Sequence, residues 1–215
     1  MIEELKQIED LKYWIFDNFL STEHLEINTT NSGSVGKKIH ELKLSTGAIS
    51  ESVVRVNYDY PIFNPRYSEL VIKARLNTKE NVIAYFGFMD SIQEPSENMT
   101  FSHAGFLIIN NKIYVTSADG YYQQKAEIVG LDITKPHEFK IKFNEFYIKP
   151  LPYVISYLGL PYIESVKREW ELIQKNTTYY PEDKVHYIVF YLKNTTTEEK
   201  FMYVEKIIYK EEYPD

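Results

Sequence analysis

SELVIKARL (68–76), NVIAYFGFMD (81–90), SHAGFLIINNKIYVTSADGYYQQKAEIV (102–129) and HEFKIKFNEF (137–146) follow one another with only short polar breaks. Together they read as six consecutive strands, and the fold is decided here. In the first, Leu70, Ile72, Ala74 and Leu76 alternate with Glu69, Val71, Lys73 and Arg75, the pattern of a half-buried strand. The second is apolar on both faces, so it is central and covered twice; Gly87 within it predicts a bulge or a close approach of backbones. Asn110-Asn111 is a two-residue hairpin turn of the kind that tolerates positive φ. Ala118-Asp119-Gly120 makes the next turn. His137, Phe139, Ile141 and Phe143 then alternate with Glu138, Lys140, Lys142 and Asn144.

Upstream, KIHELKL (38–44) and SVVRVNY (52–58) are short β-prone runs between turn formers, TTNSGSVG (29–36) before and STG (45–47) between. Short strands at this spacing indicate a sandwich or barrel rather than βαβ units. Ile2, Leu5, Ile8 and Leu11 recur at helical spacing and predict a short N-terminal helix. Residues 147–184 interrupt the β pattern with KPLPYVISYLGLPY, followed by Ile163, Val166, Trp170 and Ile173 at spacings of three and four; a helical insertion is expected here. VHYIVFYLK (185–193) and KFMYVEKIIY (200–209) read as a closing hairpin. The expectation is one all-β domain over residues 1–215, a two-sheet antiparallel sandwich with a short N-terminal helix and a helical insertion near 147–184.

Composition narrows the chemistry. The chain has 215 residues, a formal charge of −7 and no cysteine. Thiol nucleophiles, disulfides and Cys-ligated metals are excluded. The negative balance, with no basic run longer than a pair, argues against nucleic acid. No apolar run approaches the roughly 20 residues of a membrane span. The N-terminus is acidic and amphipathic, unlike a signal peptide; an extracellular or virion location is favoured nonetheless, by another route of release. Asn28, Asn98, Asn176 and Asn194 begin Asn-x-Ser/Thr sequons. The abundance of Ile, Tyr, Lys and Glu resembles a thermophile's composition.

FDNF (16–19) before a turn-rich segment, then SELVIKARL, NVIAYFGFMD, GFLIINNKIYVTSADG and LDITKPHEFKIKF, resembles the concanavalin A-like lectin/glucanase superfamily over Trp14–Phe146, with Val185–Tyr209 added. The resemblance implies a jelly roll, and a role among glucanases, lectins or surface modules. The laminarinase-like members carry E-x-D-x-x-E on a strand. That motif is absent. Glu169 and Glu171, Glu94 and Glu97, and Glu138 and Glu145 do not share a strand face in the way paired carboxylates require. Asp59, Asn64, Asp90 and Asp119 are too scattered in sequence for a calcium site. The five histidines form no H-x-H or H-x-x-x-H pair, and there is no G-x-S-x-G elbow or phosphate loop.

The reading that follows is a non-catalytic module holding a glycan on one concave sheet, for binding or adhesion at a cell or virus surface. Tyr85, Asp90, His103, Tyr114, Asp119, Tyr121 and Tyr122 are the candidate ligand-binding residues, tyrosines for stacking on sugar rings and polar groups for reading hydroxyls. His103 suits a satisfied interior histidine better than a catalytic one. No catalytic residue, metal ligand or cofactor is assigned. Two alternatives stand beside this reading: a structural protein that assembles with copies of itself or a partner through 147–184, and a glycoside hydrolase with atypical carboxylates.

Overall fold

A computed structural model describes residues 13–17, 19, 22–38, 40–61, 63–150, 155–157, 160–162 and 169–211. Seventeen strands are described: β1 (Tyr13–Asp17), β2 (Leu25–Thr29), β3 (Ser34–Lys38), β4 (Glu41–Ser45), β5 (Val53–Tyr58), β6 (Ser68–Leu76), β7 (Val82–Met89), β8 (His103–Ile109) and β9 (Lys112–Ala118), then β10 (Gln123–Glu127), β11 (His137–Lys142), β12 (Glu145–Pro150), β13 (Ile155–Tyr157), β14 (Leu160–Tyr162), β15 (Glu171–Lys175), β16 (Tyr187–Asn194) and β17 (Phe201–Glu211). Among the described residues the one helical turn is a 3-10 turn over Pro65–Tyr67.

The strands form two antiparallel sheets and a separate β13–β14 hairpin. One sheet has eight strands, in the order β15-β12-β11-β6-β17-β4-β3, with β1 also pairing with β17. β17 bonds β6 along one edge; along the other it takes β4 at Phe201–Val204 and β1 at Ile207–Glu211. The second sheet has seven strands, in the order β10-β9-β8-β7-β16-β5-β2. The six strands expected from Ser68 onward are β6 to β11, and the chain changes sheet between β6 and β7 and again between β10 and β11.

Alternation puts Leu70, Ile72, Ala74 and Leu76 of β6 and Phe139 and Ile141 of β11 on the inner face of one sheet. Val82, Ala84, Phe86 and Phe88 of β7 and Phe106 of β8 face them from the other. At the centre Phe139 lies 4.9 Å, ring centre to ring centre, from both Phe86 and Phe106. Such offset and edge-on contacts suit the quadrupoles of the rings. The outer face of the eight-stranded sheet is instead a lattice of paired charges, including Arg75–Glu41 at 3.2 Å and Lys206–Glu138 at 2.7 Å. Arg75 also stacks 3.8 Å from the centre of the Tyr203 ring. Asn110 and Asn111 take φ of 52° and 62° in the β8–β9 hairpin, as their residue type allows.

Three expectations change. The helix expected from Ile163 to Asn176 is a strand where it is described: β15 pairs with β12 at the edge of the eight-stranded sheet. Trp170 explains the misleading spacing, because it is drawn to lysine ammoniums, 4.6 Å from Lys140 and 5.9 Å from Lys149, rather than to a helix's buried stripe. β16 and β17 are not a hairpin. They lie in different sheets, β16 between β7 and β5 and β17 between β6 and β4, so the polar NTTTEE connection crosses the sandwich. Phe143 leaves the strand alternation for the β11–β12 turn, at φ 52°. The N-terminal helix expected over Ile2–Leu11 lies outside the described residues.

Candidate functional site

The outer face of the seven-stranded sheet, like that of the eight-stranded one, has no further sheet above it among the described residues. Register fixes its rows. Arg55, Tyr191, Tyr85, Leu107, Tyr114 and Glu127 form one row across β5, β16, β7, β8, β9 and β10. Asn57, Val189, Gly87, Gly105, Thr116 and Lys125 form the next.

The middle of this face is closed by the chain itself. Tyr85 lies over Gly105, where a Cβ would stand 2.4 Å from its hydroxyl oxygen. That hydroxyl donates to the Phe88 carbonyl at 2.7 Å. At Gly87, φ is 148° and a Cβ would meet the Ala104 carbonyl oxygen at 2.4 Å, the close backbone approach that the sequence predicts there. Above lies the loop from Asp90 to Ser102, whose Met99 is buried with Tyr85, Met89, Leu107, Val189 and Tyr191 in a second apolar cluster. This cluster is why β7 is apolar on both faces. Three polar contacts hold the loop: Lys184 Nζ to Asp90 and Lys193 Nζ to Glu94, each 2.7 Å, and Lys125 Nζ to the Glu97 carbonyl at 3.0 Å.

Two buried histidines brace the end of the loop. His103 Nδ1–H donates to the Phe101 carbonyl at 2.8 Å, since a carbonyl can only accept. Its Nε2 therefore accepts from Thr116 Oγ1 at 2.9 Å, and that oxygen accepts from Gln123 Nε2 at 2.8 Å. His186 repeats the arrangement: Nδ1–H donates to the Lys184 carbonyl at 2.8 Å and Nε2 accepts from Ser102 Oγ at 2.9 Å. Burial pushes both imidazoles down to about 4, so they are neutral at pH 7. Ser102 and His186 have the geometry of a nucleophile and its base. Both have no exposed surface, and the serine oxygen already accepts the Glu182 N–H at 2.9 Å, so no substrate reaches the pair.

Paired catalytic carboxylates are missing from the strands of this face. The outward positions of β7, β8 and β16 carry Ile83, Tyr85, Met89, His103, Leu107, Ile109, Tyr187, Val189, Tyr191 and Lys193. Glu127 and Glu26 lie on β10 and β2, the two edges of the sheet, six strand spacings or roughly 29 Å apart. Glycosidic acid and base groups stand within about 10 Å of each other. The nearer acid pairs are each bridged by an ammonium: Asp90 and Glu182 by Lys184, Glu51 and Glu94 by Lys193. These carboxylates raise the pKa of both lysines. Among the described residues no cluster of three or more His, Asp or Glu side chains could hold a metal ion.

The candidate residues therefore divide. Tyr85 and His103 have no exposed surface, Asp90 is committed to Lys184, and Tyr114 borders the closed cluster beneath Lys125, 5.2 Å from its ring centre. Asp119, Tyr121 and Tyr122 come together at the β9–β10 turn, where Asp119 Oδ1 accepts the N–H groups of Tyr121 and Tyr122 at 2.9 and 2.8 Å. Tyr121 is 75 % and Tyr122 62 % exposed.

Sequence reading missed their neighbour. Tyr179 lies 5.2 Å from Tyr122, ring centre to ring centre, and is held at φ 52°. Its carbonyl accepts from Ser117 Oγ at 3.0 Å, and Gln124 Oε1 accepts the Thr178 N–H at 3.2 Å. The Glu182 carboxylate stands beside Gly120. No local pattern links Tyr179 to a turn some sixty residues earlier; the only trace was a tyrosine pair among polar residues. At the other end of the sheet a cavity of about 470 Å³ opens over Ile113, Ile128 and Ile133, rimmed by Lys79, Glu80 and Glu127. Of the four sequon asparagines, Asn176 and Asn194 are fully buried.

No protein-family model matches the chain, and no curated protein sequence matches it. Solved structures do. The chain is similar to the beta-glucanase of Bacillus licheniformis, with 12 % identity over 91 % of this chain and 97 % of that one, at a TM-score of 0.60. It is similar to the exoplasmic/lumenal domain of VIP36 in a Ca2+-bound form, with 12 % identity over 97 % and 94 % of the two chains, at 0.59. A protein of unknown function from Shewanella oneidensis MR-1 matches at 0.58, with 11 % identity over 97 % and 90 %. At such identities the likeness establishes the fold, which is the concanavalin A-like jelly roll.

Proposed function

We propose that the protein is a non-catalytic carbohydrate-binding module whose contact surface is the tyrosine cluster Tyr121, Tyr122 and Tyr179 at the β9–β10 turn. The observation that carries this reading is the contrast in exposure: the strands' outer face is filled, while these rings stand open beside polar groups. Tyrosine rings present flat apolar faces with a polar tip, suited to the C–H faces of a sugar. In this proposal Asp119 Oδ2 and Glu182 Oε1, the Glu182 oxygen beside Gly120 that is not paired with Lys184, accept sugar hydroxyls at the edge of the rings. In this reading Tyr85, His103, Asp90 and Tyr114 support the site and do not touch the ligand. Structural neighbours that include the VIP36 exoplasmic/lumenal domain in Ca2+/Man2-bound and Ca2+/Man3GlcNAc-bound forms are consistent with it, and adhesion at a cell or virus surface is the corresponding setting.

A glycan array followed by calorimetry tests the proposal. Binding is expected for some oligosaccharide, with a loss of about tenfold in Tyr122→Ala. An array without signal, or affinity unchanged by Tyr121→Ala and Tyr122→Ala together, overturns it. A second reading, assembly through the 147–184 segment, draws on one observation: β15 is an edge strand with Leu172 half exposed. Unpaired strand edges invite pairing with another chain. Light scattering that finds only monomer at all concentrations removes it.

A further inference from the structure

On the outer face of the seven-stranded sheet the buried atoms Arg55 Nε and Asn57 Oδ1 have no hydrogen-bond partner, and the buried Tyr191 OH beside them faces the Glu94 carboxylate of the covering loop. They are neighbours. Arg55 on β5 lies opposite Tyr191 on β16, and Asn57 lies opposite Val189, one outward position from Tyr191. Alternation directs all three away from the core occupied by Val54, Val56, Phe190 and Leu192. Asn57 has no exposed surface and Tyr191 is 3 % exposed. The Asn57 amide cannot be turned over to solve the problem, because its Nδ2 already donates to Glu26 Oε2 at 3.1 Å and to the Tyr58 carbonyl at 3.0 Å.

Native structures leave few buried polar groups unpaired, and a cluster of them calls for an absent partner. We infer that Arg55, Asn57 and Tyr191 form a second ligand subsite, one that takes a neutral hydroxyl-bearing group beneath the Asp90–Ser102 loop. The hydrogen-bonding capacities define the guest. Arg55 Nε–H can only donate, Asn57 Oδ1 can only accept, and Tyr191 OH does either. A hydroxyl meets all three demands, whereas a carboxylate or phosphate leaves Asn57 Oδ1 facing a like dipole.

The surrounding charges select in the same direction. Glu26 stands 4.0 Å from Arg55, and Lys193 is shared between Glu51 and Glu94 at 2.7 Å each. Three carboxylates against two cations repel an anion. Entry requires the loop to lift at Glu94, whose side chain is 54 % exposed. An ion pair this wet holds weakly, so the latch opens at small cost. The apolar floor beside the three polar atoms, Val189 and Tyr85, gives the carbon skeleton of a polyol something to rest on.

The choice of sugars as probes rests on the carbohydrate-binding reading, but the subsite is on different strands and is tested separately. The full chain is titrated with glucose, mannose, galactose and glycerol while the Arg55 Nε–H and Asn57 side-chain amide signals are followed by NMR. At least one probe is expected to shift both signals, in the wild type and in Tyr122→Ala alike, and to fail in Tyr191→Phe and Arg55→Lys.

An Asn57 amide signal that a probe shifts in Tyr191→Phe as much as in the wild type overturns the inference, since the hydroxyl would then take no part in the subsite. Signals that no probe moves also overturn it and leave the three atoms to ordered water; should oligosaccharide binding dependent on Tyr122 persist, the tyrosine-cluster reading survives that failure.

Discussion

Tyr85 on β7 and Tyr122 in the β9–β10 turn belong to one sheet and its connections, yet the first has no exposed surface and the second is 62 % exposed. Tyr85 is folded over Gly105 with Met99 packed in the same cluster; Tyr122 stands on a tight turn beside Tyr179 and is open to solvent. Residue type does not separate them. The difference is made by the Asp90–Ser102 loop, which covers the middle of the outer face and leaves its end open. The middle of this face is thereby a second core, and the open tyrosine rings stand at its rim.

The comparison breaks most directly at Tyr85. Tyr85→Ala removes a fully buried ring and the hydroxyl bonded to Phe88, and is expected to cost about 3–5 kcal/mol in denaturant unfolding. A loss below about 1 kcal/mol would mean that the outer cluster is not a core.

Acid tests the same region next. His103 and His186 have folded-state pKa values of about 4, below their unfolded value near 6.5. Between those values the unfolded chain binds more protons than the folded one, so stability is full above about pH 6.5 and falls as pH drops toward 4. The expected loss is at most roughly 3 kcal/mol per histidine. Thermal melts across this range check it, and in His103→Gln the slope should flatten by about half.

Met99→Ala sharpens the role of the loop. Its loss is expected to be about 2 kcal/mol, at the lower end for a buried methionine because a loop relaxes more readily than a strand. Faster proteolysis within Asp90–Ser102 should accompany it. The smallest stability effect is expected at the open end: Tyr121→Ala and Tyr122→Ala each change unfolding by less than about 0.5 kcal/mol. Stability losses there as large as at Tyr85 would erase the distinction between platform and core.

Much of the sandwich was legible from periodicity. SELVIKARL is β6 to the residue, and the doubled apolarity of NVIAYFGFM announced a strand covered on both sides. The helical spacing of Ile163, Val166, Trp170 and Ile173 misled where it is described: Ile173 lies on the edge strand β15 and Trp170 rests on lysines just before it, while Ile163 and Val166 lie outside the described residues. The β16–β17 connection misled for another reason. A short polar turn between two strands reads as a hairpin, and whether the partner strand lies in the same sheet is settled by long-range pairing. At the site, Asp119, Tyr121 and Tyr122 were visible as one turn, but Tyr179 and the buried polar atoms of Arg55, Asn57 and Tyr191 were not.

From the residues alone came the all-β class, the six central strands, the missing carboxylate ladder and the exclusion of thiol chemistry. These depend on alternation and on which side chains exist, both local properties of a chain. Tertiary structure alone decided which tyrosines meet solvent, which sheet each strand joins, and which polar atoms are left without partners. Exposure and hydrogen-bond satisfaction depend on groups brought from distant parts of the sequence, as the loop over Tyr85 is brought by Lys193 and Lys184. No periodicity within a strand records what will be laid across it.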